Sequence, residues 1–172
     1  MVQEKREYSR INTRLKALAK KVSGPEVIPV FHASNLSPNS MDNRFLQDTN
    51  LPEDVKKFLQ TIDQKLDTLL GLQSQKILEK EYDIQTEITE LSGAGLKCLQ
   101  TDSYLQVNDY IEIVLFLSYH PVNMASGIGM VQRLENDVAV IEFTSMRESE
   151  RESIVQFVFQ EQREQIRSTR YE

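Results

Sequence analysis

Cysteine, histidine and long apolar runs are all scarce in this chain of 172 residues. Its one cysteine, Cys98, allows no intrachain disulfide, so we expect a reducing compartment and a small buried apolar role for that side chain. The two histidines, His32 and His120, have no acidic or cysteine partner at a metal-binding spacing. No apolar run approaches the ~20 residues of a membrane span, and the start of the chain lacks a signal-peptide core. These absences predict a cytoplasmic protein without a metal site or membrane insertion.

Charge is unevenly distributed along the chain. The composition, 40% hydrophobic and 27% charged, suits one compact domain with room for an additional element. The net charge is -6, but residues 1–25 carry +5 and the rest of the chain carries -11. An acidic body argues against DNA or RNA as a partner, because such binding needs a broad basic face. The basic arm remains suited to a small anionic ligand.

Two segments far apart in the sequence have the composition of a split nucleotide site. Arg6 and Arg10 form an RxxxR spacing, and two guanidinium groups can hold phosphates and the guanine edge. Glu90, Ser92 and Gly95 lie in a short polar segment that offers a carboxylate, a hydroxyl and open backbone. Arg14 would give a second RxxxR with Arg10. We prefer the first spacing, because Ile11 then begins a strand, and we interpret Arg14 as a strand-surface charge.

A long helix is the clearest secondary-structure prediction, over residues 51–80. Asn50 is the predicted N-cap, Pro52 belongs to the first turn, and Glu53 completes a capping box. Apolar residues then recur at alternating spacings of four and three, as in a coiled coil. We call this set the seam: Val55, Leu59, Ile62, Leu66 and Leu69.

The seam needs a partner, because a helix of roughly 40 Å is longer than a small domain can cover. Either the helix lies across the domain of its own chain, or identical helices from several chains form a bundle. We favour a bundle of three or four chains, since the repeat is close to 3.5 residues and further apolar residues flank the seam. These flanking residues are Phe58, Leu70 and Leu72.

After Lys80 the apolar pattern changes to a period of two, which predicts strands. Apolar and other residues alternate from Tyr82 onward, in runs that include Cys98 and Leu117. A hairpin is predicted around a loop at 133–137. A final helix is predicted from Ser149 to about Ser168. The fold class is therefore mainly β with helices, a small antiparallel barrel or sandwich. The predicted parts are an arm with the first strands (1–33), a linker (34–50), the long helix (51–80) and the remaining barrel with the last helix (81–172).

This order of parts, together with the two motifs, resembles the PilZ domain, a family of bacterial receptors for cyclic di-GMP. RxxxR at Arg6 and Arg10 matches the first family motif, and Ser92 and Gly95 match (D/N)xSxxG. The resemblance covers residues 6–22 and about 82–168, and the long helix is an insertion. It implies a PilZ-like β-barrel, no cofactor, no enzymatic activity, and cyclic di-GMP bound by Arg6, Arg10, Glu90, Ser92 and Gly95. It also implies a relay to motility, pilus or exopolysaccharide machinery.

Glu90 departs from the family pattern, which has Asp or Asn at this position. Its carboxylate reaches one methylene further, so it can overshoot the guanine edge or fold onto an arginine. A strained bidentate contact is worth about 1–3 kcal/mol, so we expect binding weakened about ten- to a hundredfold but not abolished. The alternative function is an assembly or adaptor protein whose PilZ-like barrel no longer binds nucleotide.

Overall fold

Six strands and two long helices make up the part of the chain that the computed structural model describes, residues 8–29, 49–100, 104–119 and 122–169. The strands are β1 (Arg10–Val22), β2 (Ile84–Ser92), β3 (Gly95–Leu99), β4 (Tyr110–Tyr119), β5 (Val122–Glu135) and β6 (Val138–Ser145). The helices are α1 (Glu53–Glu81) and α2 (Glu148–Thr169). Arg6, both histidines and most of the predicted linker lie outside the described residues.

The strands close into an antiparallel barrel in the order β1-β2-β3-β6-β5-β4, with β4 paired to β1. Alternate side chains point inward, so the interior is filled by fully buried residues such as Ile88, Leu91 and Ile113. Ile154 and Val158 of α2 pack against the same core. Closure pairs every strand on both sides and leaves no open sheet edge. The predicted mainly-β antiparallel barrel with helices is confirmed.

Several predicted boundaries differ from the observed ones. More than one strand was predicted within residues 1–33, but in the described part of this range only β1 is observed, and residues 27–29 form no strand. β1 starts at Arg10, one residue before the predicted start at Ile11. The strand predicted from Tyr82 begins at Ile84, because Tyr82 is the C-cap of α1. The loop predicted at 133–137 is wrong, since β5 continues to pair with β6 through Glu135. A two-residue turn at Asn136 suffices, and its φ of 53° is one that asparagine tolerates.

The predicted start of the long helix is also wrong. Pro52, not Asn50, occupies the N-cap, and no side chain there makes a capping hydrogen bond. The amides of Val55 and Lys56 donate instead to the Pro52 carbonyl, at 3.0 and 3.1 Å. Glu53 and Asp54 fill the first turn, where negative charge interacts favourably with the helix dipole. The helix therefore starts two residues later than predicted.

The last turns of α1 are anchored on the outside of the barrel. Leu78 and Tyr82 join a second apolar cluster on this face, completed by Leu18, Val114, Phe116, Val122 and Met124. A Cβ at Gly71 would lie 2.1 Å from a Val122 methyl group, so only glycine permits this close approach. Lys16 pairs with Glu79 at 2.5 Å, and hydrogen bonds from Lys16 and Gln75 lower the pKa of Glu79.

A buried carboxylate lies beside this junction. Glu112 on β4 is fully buried, accepts a hydrogen bond of 2.6 Å from the Tyr82 hydroxyl, and lies 3.2 Å from Lys20 Nζ. The same Lys20 nitrogen lies 4.7 Å from the centre of the Tyr82 ring. Burial and the Glu112 carboxylate raise the pKa of the Tyr82 hydroxyl. Paired charge offsets the cost of burying Glu112, so these side chains tie the end of α1 to β1 and β4.

The seam on the first turns of α1 is not covered by the barrel. Its five side chains remain 39% to 62% exposed, and Leu78 is the buried residue of this 29-residue helix. The helix is about 44 Å long, and its C-terminal end carries the contacts with the barrel. Of the two arrangements considered, a helix lying across its own domain is therefore not observed. In the described parts of the chain, no helix has the length and apolar character of a membrane span.

Cys98 provides a simple test of the barrel interior. It lies on β3, is 1% exposed, and burial raises the pKa of its thiol to about 11. At pH 8 the folded protein should therefore hold a protonated, inaccessible thiol that does not react with Ellman's reagent. Unfolding in urea should restore the ordinary thiol pKa and give stoichiometric reaction. Equal reaction rates in buffer and in urea would contradict the buried position.

Candidate ligand site

Strand pairing joins the two predicted halves of the site. β1 runs antiparallel to β2, and Arg10 is the direct cross-strand partner of Ser92. Asn12 is in turn the partner of Glu90, and Gly95 follows a two-residue turn after Ser92. The structure thus brings Arg10, Glu90, Ser92 and Gly95 together on the outside of the barrel. Arg6, the fifth predicted residue, lies outside the described residues.

The Ser92 side chain builds the turn between β2 and β3. Its buried hydroxyl accepts hydrogen bonds from the amides of Ala94 and Gly95, at 3.3 and 3.2 Å. The same hydroxyl donates to the Gly95 carbonyl at 3.1 Å. A Cβ at Gly95 would lie 2.3 Å from the Ile141 carbonyl oxygen, so glycine here permits the close approach of β6. In this structure, Ser92 and Gly95 shape the floor of the site.

Glu90 is held between two cations. Its carboxylate lies 3.3 Å from Arg10 Nη1 and 3.4 Å from Lys97 Nζ, with Lys97 its cross-strand partner on β3. The longer side chain has folded onto an arginine, one of the two outcomes expected for glutamate at this position. The Arg10 and Glu90 side chains are 50% and 23% exposed. Ion pairs of this kind contribute at most about 1 kcal/mol, so a stronger anion can displace the carboxylate.

A groove of about 380 Å³ extends from this ion pair across β3, β6 and β5. Its lining includes three cations, Arg10, Lys97 and Arg133, and two carboxylates, Glu90 and Glu142. Arg133 also pairs with Glu135, and Gln132 donates to Glu142 at 2.7 Å. With Glu135 counted, the three cations face three carboxylates, so a phosphate-containing ligand would bind these cations by displacing carboxylates on the open outer face. Among the described residues, no group of three His, Cys, Asp or Glu side chains is arranged to hold a metal ion.

Sequence reasoning missed two of these cations. Lys97 was detectable, because it follows Gly95 by two residues on one strand and therefore points to the same face. Arg133 was assigned to a loop, and its place in the groove follows from the longer β5. Arg14 is not part of the groove and lies 3.8 Å from Glu87. Its side chain is 87% exposed, in agreement with the interpretation of Arg14 as a strand-surface charge.

Helix α2 holds the first residues of β1 in position. Gln162 Nε2 donates to the Arg10 carbonyl at 3.2 Å, and Gln165 Nε2 donates to the Asn12 carbonyl at 3.1 Å. The backbone that carries Arg10 is therefore fixed from two sides, by β2 and by α2. The Arg10 side chain remains half exposed and free to exchange partners.

No family model matches the sequence, and no curated protein matches it either. The fold does match solved structures. One is a pathogenic protein from Xanthomonas campestris, described as a tetrameric PilZ domain self-assembled through a helical bundle. The two structures superpose with a TM-score of 0.60 and 14% sequence identity, and the match covers 94% of this chain and 91% of that one. This chain has a PilZ-like fold. The fold predicted from the motifs is thereby confirmed.

A second solved structure with a similar fold belongs to a longer protein. It is the Bacillus subtilis inhibitor of motility MotI/DgrA, at a TM-score of 0.53 and 11% identity over 92% of this chain. The match covers 51% of the inhibitor, so this chain spans about half of its length. At these identities both likenesses concern the fold alone.

Proposed function

We propose that this PilZ-like protein is a receptor for cyclic di-GMP without catalytic activity of its own. The observation that carries the proposal is the strand pairing that places Arg10 beside the Ser92 turn, at the edge of a groove with three cations. A guanidinium group can bind phosphate with two parallel hydrogen bonds and can equally donate to guanine O6 and N7. Cyclic di-GMP contains both the phosphates and the guanine edges that such a group recognises.

Binding would proceed by exchange of ion pairs. The ligand phosphates would displace the Glu90 carboxylate from Arg10 and Lys97, which it holds at 3.3 and 3.4 Å in the free protein. Arg6, which precedes the described residues, would supply the second guanidinium group. Ordering these side chains costs conformational entropy, and charge-assisted hydrogen bonds to phosphate offset that cost.

Replacing Glu90 with glutamine tests this exchange. The Glu90→Gln protein should bind cyclic di-GMP about fivefold more tightly than the wild type, because the ligand no longer competes with a carboxylate for Arg10. Glu90→Asp should bind at least as tightly as the wild type, since it restores the shorter family side chain. Isothermal titration calorimetry measures both affinities.

The matched control for this titration is Glu87→Gln. It removes the same charge from the same strand, but Glu87 faces Arg14 and does not line the groove. Its affinity should equal that of the wild type. Cyclic di-AMP has the same phosphates and a different purine edge, so it should bind the wild type and each variant more weakly than cyclic di-GMP does. Absence of heat from the wild type at high protein concentration would refute the receptor function.

We further propose that the protein forms a trimer or tetramer through the seam of α1. The five seam side chains are 39% to 62% exposed in the single chain, and such a stripe of apolar surface is stabilised by burial against identical stripes. The tetrameric helical bundle of the Xanthomonas campestris PilZ protein supports four chains. The anchored C-terminal end of α1 would hold each barrel at a defined angle to such a bundle.

An assembly or adaptor protein that binds no nucleotide is the second candidate function. The observation that favours it is the Glu90 carboxylate, which already occupies the cations of the groove. In either case we place the protein in the cytoplasm, upstream of a partner in motility, pilus or exopolysaccharide machinery. Likeness in fold to an inhibitor of motility supports the first of these systems.

A further inference from the structure

We propose that Arg151 of α2 is a positioning residue of the ligand site, because it forms a latch with Tyr8 and Gly93 that holds Tyr8, the end of the N-terminal arm next to β1, against the turn between β2 and β3. Tyr8 is the central residue between Arg6 and Arg10. Gly93 belongs to the turn that Ser92 builds. The latch therefore connects the two halves of the site at a second point, separate from the pair formed by Arg10 and Glu90. As a role in binding, this inference rests on the proposed function.

The Tyr8 ring lies directly on the backbone of Gly93. A Cβ at this position would lie 2.5 to 3.0 Å from three ring atoms, closer than any real contact, so a side chain here would expel the ring. Gly93 is buried and its φ is not positive, so space for Tyr8 rather than backbone freedom is what requires glycine. The ring and Gly93 also border a cavity of about 200 Å³ that Val155 and Phe159 of α2 line.

Arg151 completes the latch from α2. One guanidinium nitrogen, Nη1, donates a hydrogen bond to the Gly93 carbonyl. The guanidinium carbon lies 5.8 Å from the centre of the Tyr8 ring, within the range of a cation–π interaction. One side chain thus contacts both the arm and the turn. No sequence signal connects residues 8, 93 and 151, which is why the latch was not predicted.

Helix α2 therefore holds both halves of the site. Near its start, Arg151 fixes the turn and the arm, and further along Gln162 and Gln165 hold the backbone of β1. An arm that is already docked at Tyr8 loses less conformational entropy when a ligand engages its arginines. Arg151 would then strengthen binding without touching the ligand, and a ligand-induced shift of the arm would reach α2 directly.

A tryptophan reporter tests the latch without any ligand. The chain contains no tryptophan, so in Tyr8→Trp all tryptophan emission comes from position 8. With the latch closed, this emission should be blue-shifted relative to the chain unfolded in urea and protected from acrylamide. Adding Arg151→Gln or Gly93→Ala should shift it to the red and increase quenching. The control Arg163→Gln, an exposed arginine of the same helix, should change neither property.

Titration with cyclic di-GMP provides the second readout. Tyr8→Ala, Gly93→Ala and Arg151→Gln should each weaken binding about tenfold, whereas Tyr8→Phe, which keeps the ring, should bind like the wild type. Circular dichroism confirms that each variant is folded. If the wild type binds no cyclic di-GMP, the receptor function fails and the emission data alone decide on the latch. The latch would be overturned if Tyr8→Trp in the folded protein emitted at the wavelength of the unfolded chain. It would also be overturned if neither Arg151→Gln nor Gly93→Ala changed the emission wavelength.

Discussion

Replacing Ile62 and Leu66 together with aspartate is expected to reduce the proposed trimer or tetramer to single chains of 19.9 kDa. Both residues belong to the seam, and both are substantially exposed in the single chain, at 39% and 52%. In a bundle they would lose this exposure, and an unpaired carboxylate buried in their place costs roughly 3 kcal/mol or more. Each chain contributes two such charges, so the cost multiplies with the number of chains.

The barrel should remain folded in this double variant, because its core does not include the seam. Light scattering gives the mass, and near-ultraviolet circular dichroism reports the tyrosines packed in the barrel. Thr61→Asp/Gln64→Asp is the matched control, since it adds two charges to the opposite face of the same two turns. A double-aspartate seam variant with the mass of the wild type would remove the seam from any interface.

Replacing Arg10 with alanine is expected to weaken binding of cyclic di-GMP about a hundredfold. Arg10 provides the guanidinium group next to the Ser92 turn, and loss of a bidentate charged contact is worth about 3 kcal/mol. Its side chain is half exposed and its ion pair with Glu90 lies at the surface, so stability should change little. Arg10→Lys should recover only part of the affinity, because an ammonium group lacks the planar fork.

Arg14→Ala is the control for this experiment. Arg14 lies on the same strand, has the same side chain and pairs with Glu87 outside the groove. Its affinity should equal that of the wild type, as measured by the same calorimetric titration. Equal affinities for Arg10→Ala and Arg14→Ala would mean that the ligand, if it binds, uses another surface.

Local patterns were sufficient to predict the main elements of the fold. The seam residues specify a helix because a spacing of three and four places them on one face, and the alternation from Ile84 to Phe143 specifies strands. Boundaries were less accurate where two patterns compete. At the start of α1, the N-cap is Pro52 and not the predicted Asn50. At its end, Tyr82 fits the alternating pattern of the next strand, but it is the C-cap of the helix and packs with Leu78.

The candidate site was only partly accessible to this kind of reasoning. RxxxR and the Ser92 turn were recognisable as motifs, and the antiparallel pairing of β1 with β2 does bring Arg10 beside Ser92. The ion pairs of Glu90 with Arg10 and Lys97 depend on distances between side chains from three strands. Arg133 lines the groove because β5 extends to Glu135, beyond the apolar residues from which its end was predicted.

Amino-acid order alone determined the elements that depend on neighbours a few residues apart: the long helix with its seam, the period-two strands, and the residue types of the proposed ligand motif. Tertiary structure alone decided three other features: the closure of the barrel, the anchoring of α1 beside the buried Glu112, and the contact of Arg151 with Tyr8 and Gly93. The reason is physical. Periodicity acts through bonds along the chain, whereas these contacts join residues separated by dozens of positions, and their geometry depends on how the whole barrel packs.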